Sequence, residues 1–372
     1  MGWVAISCPG AGAIAAHGPD AAREPAIGRG TGTLLRSAGP AELMGQGSIL
    51  IEAQITATRV LTPLLDIPFR HPVAGRLTLS QVPGGALTLV LERGRKVRHC
   101  SLNLESGERP ERIRVMLSWE SRSGVARLVV ERPERDVAPL ATGFADPLAL
   151  PFQALTEAAL YPELEMLGEG VDFLAVSDGI EPIGPMPGLT GETAIDTPDG
   201  RRALRELRRG DLVRIEGEGA VPVLAALRRT LPARGLFRPV QLFAPYFGLT
   251  RDVVVAAGQR LVTEGAEVEY LFQSESVLVA AQHLVTEKTG AWAETGPLVT
   301  LHQLLLPDQQ VLGVCGARME SLHVGRLRRS AALVEASLLA GYQRSRLPHH
   351  AGHARPVLRD YEAQMLASHR AA

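Results

Sequence analysis

Short apolar runs alternate with turn residues between positions 47 and 185 of the chain. Turns that contain glycine, serine or proline separate these runs about every 8–12 residues, a spacing that is typical of antiparallel sandwiches. We therefore predict an all-β chain that begins with a jelly-roll-like β-sandwich domain at 47–185. The strands predicted in this domain are 49–51, 77–79, 87–91, 113–117 and 125–130.

A hairpin that carries a tryptophan is predicted within this sandwich. Met116-Leu117-Ser118-Trp119 is followed by a Ser-Gly turn and by the apolar run 125–130. The arrangement resembles the concanavalin/laminin-G jelly rolls, in which one strand carries such a tryptophan and the next strand follows after a short turn. This resemblance implies the fold and does not imply that the domain binds sugar.

The first 46 residues are rich in glycine, alanine and proline and sustain no period of 2 or 3.6. Within them, Gly10-Ala11-Gly12-Ala13-Ile14-Ala15 imitates a dinucleotide-binding turn of the GxGxxA kind. That turn needs a helix after it and a second strand that ends in an acidic residue. The chain runs instead into Gly18-Pro19. We predict a flexible leader at 1–46 and no cofactor.

Prolines at 182, 185 and 187 predict a stiff connector, because each proline fixes its own φ and disfavours helix just before it. A second domain is predicted to begin at 186. It opens with a strand, a tight turn at Thr197-Pro198-Asp199-Gly200, a short helical turn, a Gly-Asp turn and another strand. Four later stretches share short, ordered motifs and lie at 251–261, 278–285, 299–305 and 316–322.

These five stretches, in this order, resemble the blocks of bacterial hedgehog/intein (Hint) domains. Hint domains open with a Cys and a strand, followed by T-P-D-G and by x-x-L-x-x-G-D-L-V. Their later blocks are R-D-L-L-V-S-P-x-H-x-L, V-P-A-x-H-L-V, Y-x-H-L and G-x-x-x-E-S-L. The resemblance covers about 186–325 and implies a Hint-type β-domain there.

Working Hint domains break the peptide bond before their first residue. A Cys thiolate or a Ser or Thr hydroxyl attacks the carbonyl, and a Thr/Ser-x-x-His unit polarises the bond and protonates the leaving amine. The resemblance places Gly188 at the nucleophile, Ala256 at the Ser/Thr position, Gln259 at the His position and Gln309 where another His is expected. Glycine has no side chain to attack with and glutamine cannot shuttle a proton, so we predict that none of these positions is active.

Other polar residues of this domain admit a functional interpretation. A shifted register would make Thr190 or Thr193 the nucleophile, although threonine also favours strands. His283 and His302 match family blocks and are candidate relics of the site, although a histidine in such a domain is usually a satisfied polar residue. The aspartates at 196, 199 and 211 lie in predicted turns without the spacing of a calcium loop, so we predict no metal site.

The C-terminal region predicts a short helix followed by a basic tail. Apolar residues recur at helical spacing over 326–342, where they share one face. The residues of this face are Ala331, Val334, Leu338 and Tyr342. Residues 343–372 combine arginine, proline and histidine. They predict a basic tail that is either solvated and partly ordered or attracts an anionic partner.

Composition narrows the classes of function. The formal net charge of −1 gives no overall attraction to nucleic acid, and no apolar run of about 18 residues predicts a membrane span. Cys8, Cys100 and Cys315 lack a CxxC pair and predict unrelated buried thiols. The apolar start lacks the basic region of a classical signal peptide, so we expect a cytoplasmic or non-classically secreted protein.

These observations favour a non-enzymatic binding or scaffold protein that carries an inactive Hint module and binds a protein or a glycan. Two alternatives stay open. One is a self-processing Hint protein that cleaves near 187/188 through a displaced nucleophile such as Thr190. The other is a carbohydrate- or surface-binding protein that acts through its sandwich.

Overall fold

The computed structural model describes residues 2–7, 32–105, 107–135, 137–161, 164–184, 186–217, 219–286, 288–350 and 352–371. The glycine-rich turn at 10–15 and Cys8 lie outside these residues. The chain divides by its internal contacts into two compact units, whose described parts end at Ile183 and begin at Gly184. No helix of the described residues has the length and the apolar character that a membrane crossing requires.

In the described residues, the first unit contains antiparallel strands and one short α-helix. The strands are β1 Trp3–Ile6, β2 Thr33–Leu34, β3 Leu43–Met44, β4 Gln46–Ile55, β5 Thr62–Phe69, β6 Gly75–Gln81, β7 Ala86–Arg93, β8 Lys96–Asn103, β9 Glu111–Glu120, β10 Val125–Glu131, β11 Leu140–Ala145, β12 Leu150–Pro151 and β13 Val171–Ser177, and the helix is α1 Phe152–Leu160.

Two sheets of this unit share one core. One sheet has the order β11-β10-β9-β4-β13-β1-β2 and the other has the order β5-β6-β7-β8. Alternation along β7 buries Leu87, Leu89 and Leu91, which join Ile49 and Ile51 of β4 in the core. Leucines at every second position of a strand lie on one face, which is why this face packs against the other sheet. The predicted β-sandwich is confirmed.

The predicted tryptophan hairpin is formed by β9 and β10. The two strands pair antiparallel, with Leu117 opposite Leu128. The Trp119 ring is buried in the core, and its Nε1 donates a hydrogen bond to the main-chain oxygen of Met44 at 3.0 Å. A buried indole needs such an acceptor because its N–H is a polar group in an apolar environment.

The second unit is also built mainly from antiparallel strands. These are β14 Leu189–Thr190, β15 Ala194–Thr197, β16 Gly200–Ala203, β17 Leu212–Ile215, β18 Gly219–Pro222, β19 Ala225–Pro232, β20 Pro239–Leu242, β21 Val253–Ala256, β22 Arg260–Glu264, β23 Ser276–Ala280, β24 Gly290–Trp292, β25 Leu298–Leu305, β26 Val311–Val314 and β27 Ala317–Glu320, with helices α2 Ala266–Phe272, α3 Ala331–Glu335 and α4 Asp360–Ala371.

Two sheets organise these strands as the Hint resemblance implies. One sheet has the order β19-β25-β14-β21-β20-β24, and the other has the order β16-β15-β26-β27-β22-β23 with β17 and β18 attached through β26. The predicted turn Thr197-Pro198-Asp199-Gly200 joins β15 to β16, with Thr197 paired to Gly200. Gly200 has a φ of +111°, a conformation that favours glycine at this turn.

The C-terminal region differs from the sequence prediction. In place of one helix over 326–342, the chain forms a 3-10 turn at Gly325–Arg329 and the short helix α3. Ser337 donates its hydroxyl to Val334 O at 2.7 Å and accepts the N–H of Leu339 at 3.0 Å. These local bonds replace the helical pattern just after α3. The predicted tail is also structured, because it contains α4, whose Ala363 and Leu366 are buried in the core of the unit.

Candidate functional site

Gly188 lies just before β14, next to the end of β21. Its main-chain oxygen accepts the N–H of Ala256 at 2.8 Å. A Cβ built on Gly188 would lie 2.1 Å from the amide oxygen of Gln259, far inside any allowed contact. The structure therefore brings Gly188, Ala256 and Gln259 together, as the resemblance implies, and the space of a side chain at 188 is already filled.

Gln259 holds this position through hydrogen bonds on both ends of its amide. Its Nε2 donates to the main-chain oxygens of Arg260 at 3.0 Å and Glu320 at 3.1 Å. Its Oε1 accepts a hydrogen bond from Nε2 of Gln303 at 3.0 Å. Gln259 is 6% exposed, so these bonds satisfy an amide that has little access to water.

Gln303 completes a buried network on β25. Its Nε2 also donates to the oxygen of Glu320 at 3.2 Å, and its Oε1 accepts the N–H of Leu304 at 3.1 Å. We call Gln259, Gln303 and the main-chain oxygen of Glu320 the amide network. Amides do not titrate near neutral pH, so this network can hold a shape but cannot accept and return a proton.

Gln303 was not among the residues selected from the sequence, and His302 beside it was. Neighbouring residues of a strand point to opposite faces, so only one of the two can face Gln259. The family block Y-x-H-L, placed one residue later, puts Leu304 at its leucine and Gln303 at its histidine. This alternative placement of the block was the sequence signal that could have identified Gln303.

His302 lies outside the amide network. A Cβ built on Gly191 would lie 2.9 Å from its Nε2, and its strand neighbour is Arg228. Burial and the charge of Arg228 both lower the pKa of the His302 imidazole. The ring is therefore neutral at pH 7 and faces another part of the unit than Gly188 does.

His283 is also tied to a different element. It lies in the 3-10 turn Ala281–Leu284, and its Nε2 lies 3.1 Å from Oδ1 of Asp360 in α4. The side-chain amide of Gln282 is 3.2 Å from the same nitrogen. These contacts give His283 a role in holding α4 against the unit.

Gln309 lies one peptide unit away from the amide network. Its Nε2 donates to the main-chain oxygen of Ser321 at 3.1 Å, next to the Glu320 oxygen that the network uses. Its Oε1 is buried and has no hydrogen-bond partner in the described part of the chain. Gln309 therefore binds the chain just after β27 and supplies no proton-transfer group.

Thr190 and Thr193, the alternative nucleophiles, bind each other and the main chain. The Thr190 hydroxyl donates to Val254 O at 3.1 Å and lies 3.0 Å from Oγ1 of Thr193. Among the described residues, neither hydroxyl forms a hydrogen bond to a histidine or a carboxylate. A threonine hydroxyl is a weak nucleophile unless a base takes its proton.

Two of the three turn aspartates, Asp196 and Asp211, form ion pairs with arginines of the same chain. Asp196 accepts a bond from Arg201 Nε at 3.1 Å, and Asp211 accepts from Arg202 and from the N–H of Arg208. Asp199 lies at the exposed turn between β15 and β16. Across the described ranges, no cluster of His, Cys, Asp and Glu has the arrangement of a metal site.

Comparisons with known proteins address the second unit directly. Residues 187–326 match the model of the family described as the Hint domain, which confirms the resemblance of the five sequence blocks. No curated protein matches the chain.

Solved structures similar to the chain include both sandwich and intein domains. One is the CBM40 of Ruminococcus gnavus IT-sialidase bound to alpha2,6 sialyllactose, at 13% identity over 36% of this chain and 76% of that chain, with a TM-score of 0.24. A second is a gp41-1 intein, at 9% identity over 36% of this chain and 98% of that chain, with a TM-score of 0.22. A third is the LG1-3 region of the laminin alpha2 chain, at 8% identity over 78% and 54% of the two chains, with a TM-score of 0.24.

Proposed function

We propose that the Hint domain at 187–326 no longer processes the chain, and that the protein is a non-enzymatic scaffold whose sandwich unit binds a protein or a glycan. The single observation that carries this proposal is the position of Gln259. Its amide occupies the space in which a nucleophile at 188 would have its first side-chain atom. Position 188 therefore lacks a nucleophile, and the space that its side chain would need is filled by Gln259.

Each step of peptide-bond cleavage by a Hint domain requires a group that this chain lacks at the corresponding position. Attack on the carbonyl of residue 187 needs a thiolate or an activated hydroxyl at 188, and Gly188 supplies neither. Departure of the amine needs a proton, and Gln259 stands where a histidine would donate it. Ala256 also lacks the hydroxyl that would polarise the bond. The nucleophile, the proton donor and the polarising hydroxyl that the reaction requires are therefore all missing from these positions.

A displaced nucleophile at Thr190 is the rival function. Its hydroxyl is engaged by Val254 and Thr193, and its strand β14 is paired on both sides, with β21 and β25. Attack by Thr190 on its own preceding carbonyl would act on Leu189, inside this pairing. We therefore give the Hint domain a structural role and assign binding to the sandwich.

Intact-mass measurement tests the loss of processing. The purified chain should keep its mass of 39.8 kDa after days with dithiothreitol, a thiol that releases thioester intermediates. The comparison chain carries Gly188→Cys, Ala256→Thr and Gln259→His together, which restores each missing group. Two fragments of about half the mass from the unaltered chain, absent in Thr190→Ala, would show that the rival function is correct.

The binding role is tested on the full chain with two probes. A glycan array probed with the labelled protein examines the glycan partner, and crosslinking to proteins of the source cells followed by mass spectrometry examines the protein partner. The proposal expects crosslinks or glycan contacts within 47–183. Binding that survives replacement of the whole sandwich by an unrelated domain would contradict it.

A further inference from the structure

The last residues of the chain fold back onto the Hint unit. We call residues 347–350 and 352–371 the strap. Val357 of the strap forms a parallel bridge with Leu278 of β23. Leu278 donates its N–H to Pro356 O at 2.8 Å and accepts the N–H of Leu358 at 3.0 Å. The strap thus occupies main-chain groups at the edge of β23, which another strand would otherwise be able to pair with.

We propose that the strap is a proton-operated latch, which leaves the β23 edge when the buried imidazole of His350 takes up a second proton. His350 is 5% exposed. Its Nδ1 accepts the N–H of Val324 at 3.1 Å, so the ring proton is on Nε2, which lies 3.3 Å from Leu306 O and donates to it. Both ring nitrogens of the neutral imidazole are therefore used by main-chain groups.

A second proton cannot be accommodated without breaking this arrangement. It would sit on Nδ1, where the lone pair now accepts the Val324 N–H, and would set two donors against each other. It would also bring a charge into a site with little water. Burial accordingly lowers the pKa of His350 to about 4, well below the ordinary value of histidine.

Charged groups on several elements face His350. The His323 ring stacks on it with the centroids 5.8 Å apart, and a charge on His323 disfavours a proton on His350. Asp308 and Glu320 act in the opposite direction, as does the hydrogen bond to Leu306. Burial is the largest of these effects, so the neutral ring is the form that the docked strap requires.

His353 is the second histidine of the strap and binds a carboxylate instead of main-chain groups. Its Nδ1 is 2.5 Å from Oε1 of Glu320, and the other carboxylate oxygen binds Arg260 at 3.2 Å. The His353 ring also lies 4.0 Å from the ring of His323. Glu320 therefore accepts from two side chains, whereas both ring nitrogens of His350 bind main-chain groups. A second proton on the ring would break a main-chain contact at His350.

Two ion pairs farther along the strap limit where it opens. Nε2 of His283 lies 3.1 Å from Oδ1 of Asp360 and holds α4 against the unit. Arg355, between His350 and Val357, binds Glu216 at 3.0 Å and donates to Oγ of Ser276 in β23 at 2.8 Å, so opening of the strap must break both contacts. We therefore expect the opened form to be rare at neutral pH and to extend only as far as Leu358, because the contact between His283 and Asp360 keeps α4 in place.

The direction of the pH effect on strap opening follows from the lowered pKa of His350. Neutral His350 stabilises the docked strap. This stabilisation is fully present above the pKa of an exposed histidine, about 6.5, and is lost as the pH falls toward 4. Within this range the opened population should rise by up to tenfold for each pH unit. Opening frees the N–H and C=O of Leu278 and would let a strand of a partner pair there.

Hydrogen exchange on the full chain between pH 7.5 and 4.5, corrected for intrinsic rates, measures this opening. Peptides that cover 276–280 and 347–358 should lose protection by up to tenfold per pH unit below 6.5, while strand β9 keeps its protection. His350→Gln retains a donor for Leu306 and cannot be charged, so its opening should not depend on pH. His349→Gln, at the exposed neighbouring position, is the matched control and should behave as the unaltered chain does.

Three outcomes would overturn the latch: protection of the strap that does not change with pH, loss of protection in both units at once, or a pH slope that survives in His350→Gln. If His350→Gln opens the strap at every pH, the His353→Gln variant distinguishes the two histidines. Protection that still depends on pH in His353→Gln supports His350 as the sensor. Protection that no longer depends on pH in this variant refutes the proposal.

Discussion

The amide oxygen of Gln259 lies 2.1 Å from the point where a Cβ on Gly188 would be. Gln259 cannot move aside freely, because three hydrogen bonds hold its buried amide. A side chain at position 188 would therefore have to displace the amide of Gln259 and break some of these hydrogen bonds.

Gly188→Ala should destabilise the Hint unit by about 1–3 kcal/mol, the usual range for overpacking a filled interior. The added methyl group displaces Gln259 and breaks the amide network. The free energy of opening is measured by hydrogen exchange of the β21 amides in the full chain. Gly296→Ala is the control, since nothing lies within 4 Å of its Cβ position. Equal stability of both variants would show that the space at 188 is open.

Gln259→Glu should make the stability of the Hint unit depend on pH. A charged carboxylate cannot donate to the oxygens of Arg260 and Glu320, so the variant should lose about 2 kcal/mol or more at pH 7. Burial and these two oxygens raise the pKa of the new carboxyl. Its favourable neutral form is present at low pH, and stability is lost as the pH rises through the folded-state pKa.

Urea unfolding of the variant at several pH values between 4 and 8 measures this effect. Gln343→Glu, at an exposed position, should show no such dependence. A Gln259→Glu chain as stable as the unaltered one at pH 7 would mean that Gln259 does not act as a donor.

We expect the stability of the sandwich unit to depend on pH through Asp172. Burial raises the pKa of its carboxyl to about 6, against the opposing charge of Arg112 and with the help of Glu52. The stabilisation of the folded state by the neutral Asp172 carboxyl is fully present below 3.8, the ordinary pKa of the group. It is lost as the pH rises through about 6, the pKa in the folded chain. The stability of Asp172→Asn relative to the unaltered chain should therefore increase by about 2 kcal/mol between pH 4 and 7.

Denaturant unfolding across this pH range tests the Asp172 effect. Asp146→Asn is the control, because the Asp146 side chain is 81% exposed. A difference curve for Asp172→Asn that is flat with pH would show that the carboxylate is charged throughout.

The two described cysteines should be unreactive in the folded chain. Cys100 and Cys315 are free and buried, and burial raises the pKa of the Cys100 thiol to about 11. The thiolate is the reactive form. Iodoacetamide at pH 8 should leave both unmodified in native buffer and modify both in guanidinium chloride. Rapid labelling of Cys100 in native buffer, located by peptide mapping, would contradict its burial.

Sequence patterns predicted the elements whose signals are local. Alternation predicted the run 87–91 that became β7, and Thr197-Pro198-Asp199-Gly200 predicted the turn between β15 and β16. Helix α1 was not among the predicted elements, since its apolar run at 152–160 is too short to be distinguished from a buried strand by period alone.

The parts that escaped prediction depend on contacts between distant residues. Only the side-chain direction along β25 decides that Gln303, rather than His302, meets Gln259. The strap is held by Leu278 and His283, about 70 to 80 positions earlier in the chain, so its composition of arginine and histidine indicated a solvated tail. The spacing of Gly188, Ala256 and Gln259 was predicted only through the family resemblance, which supplied the long-range pairing that local pattern lacks.

Trapping the reaction tests the central claim most directly. Hydroxylamine cleaves any ester or thioester that forms at the junction and leaves a hydroxamate on the new C-terminus. The full chain, incubated with hydroxylamine and examined by intact mass spectrometry, should show a single species of 39.8 kDa. A fragment that ends in a hydroxamate at residue 187 or 189 would show that the junction is chemically active and would contradict the account.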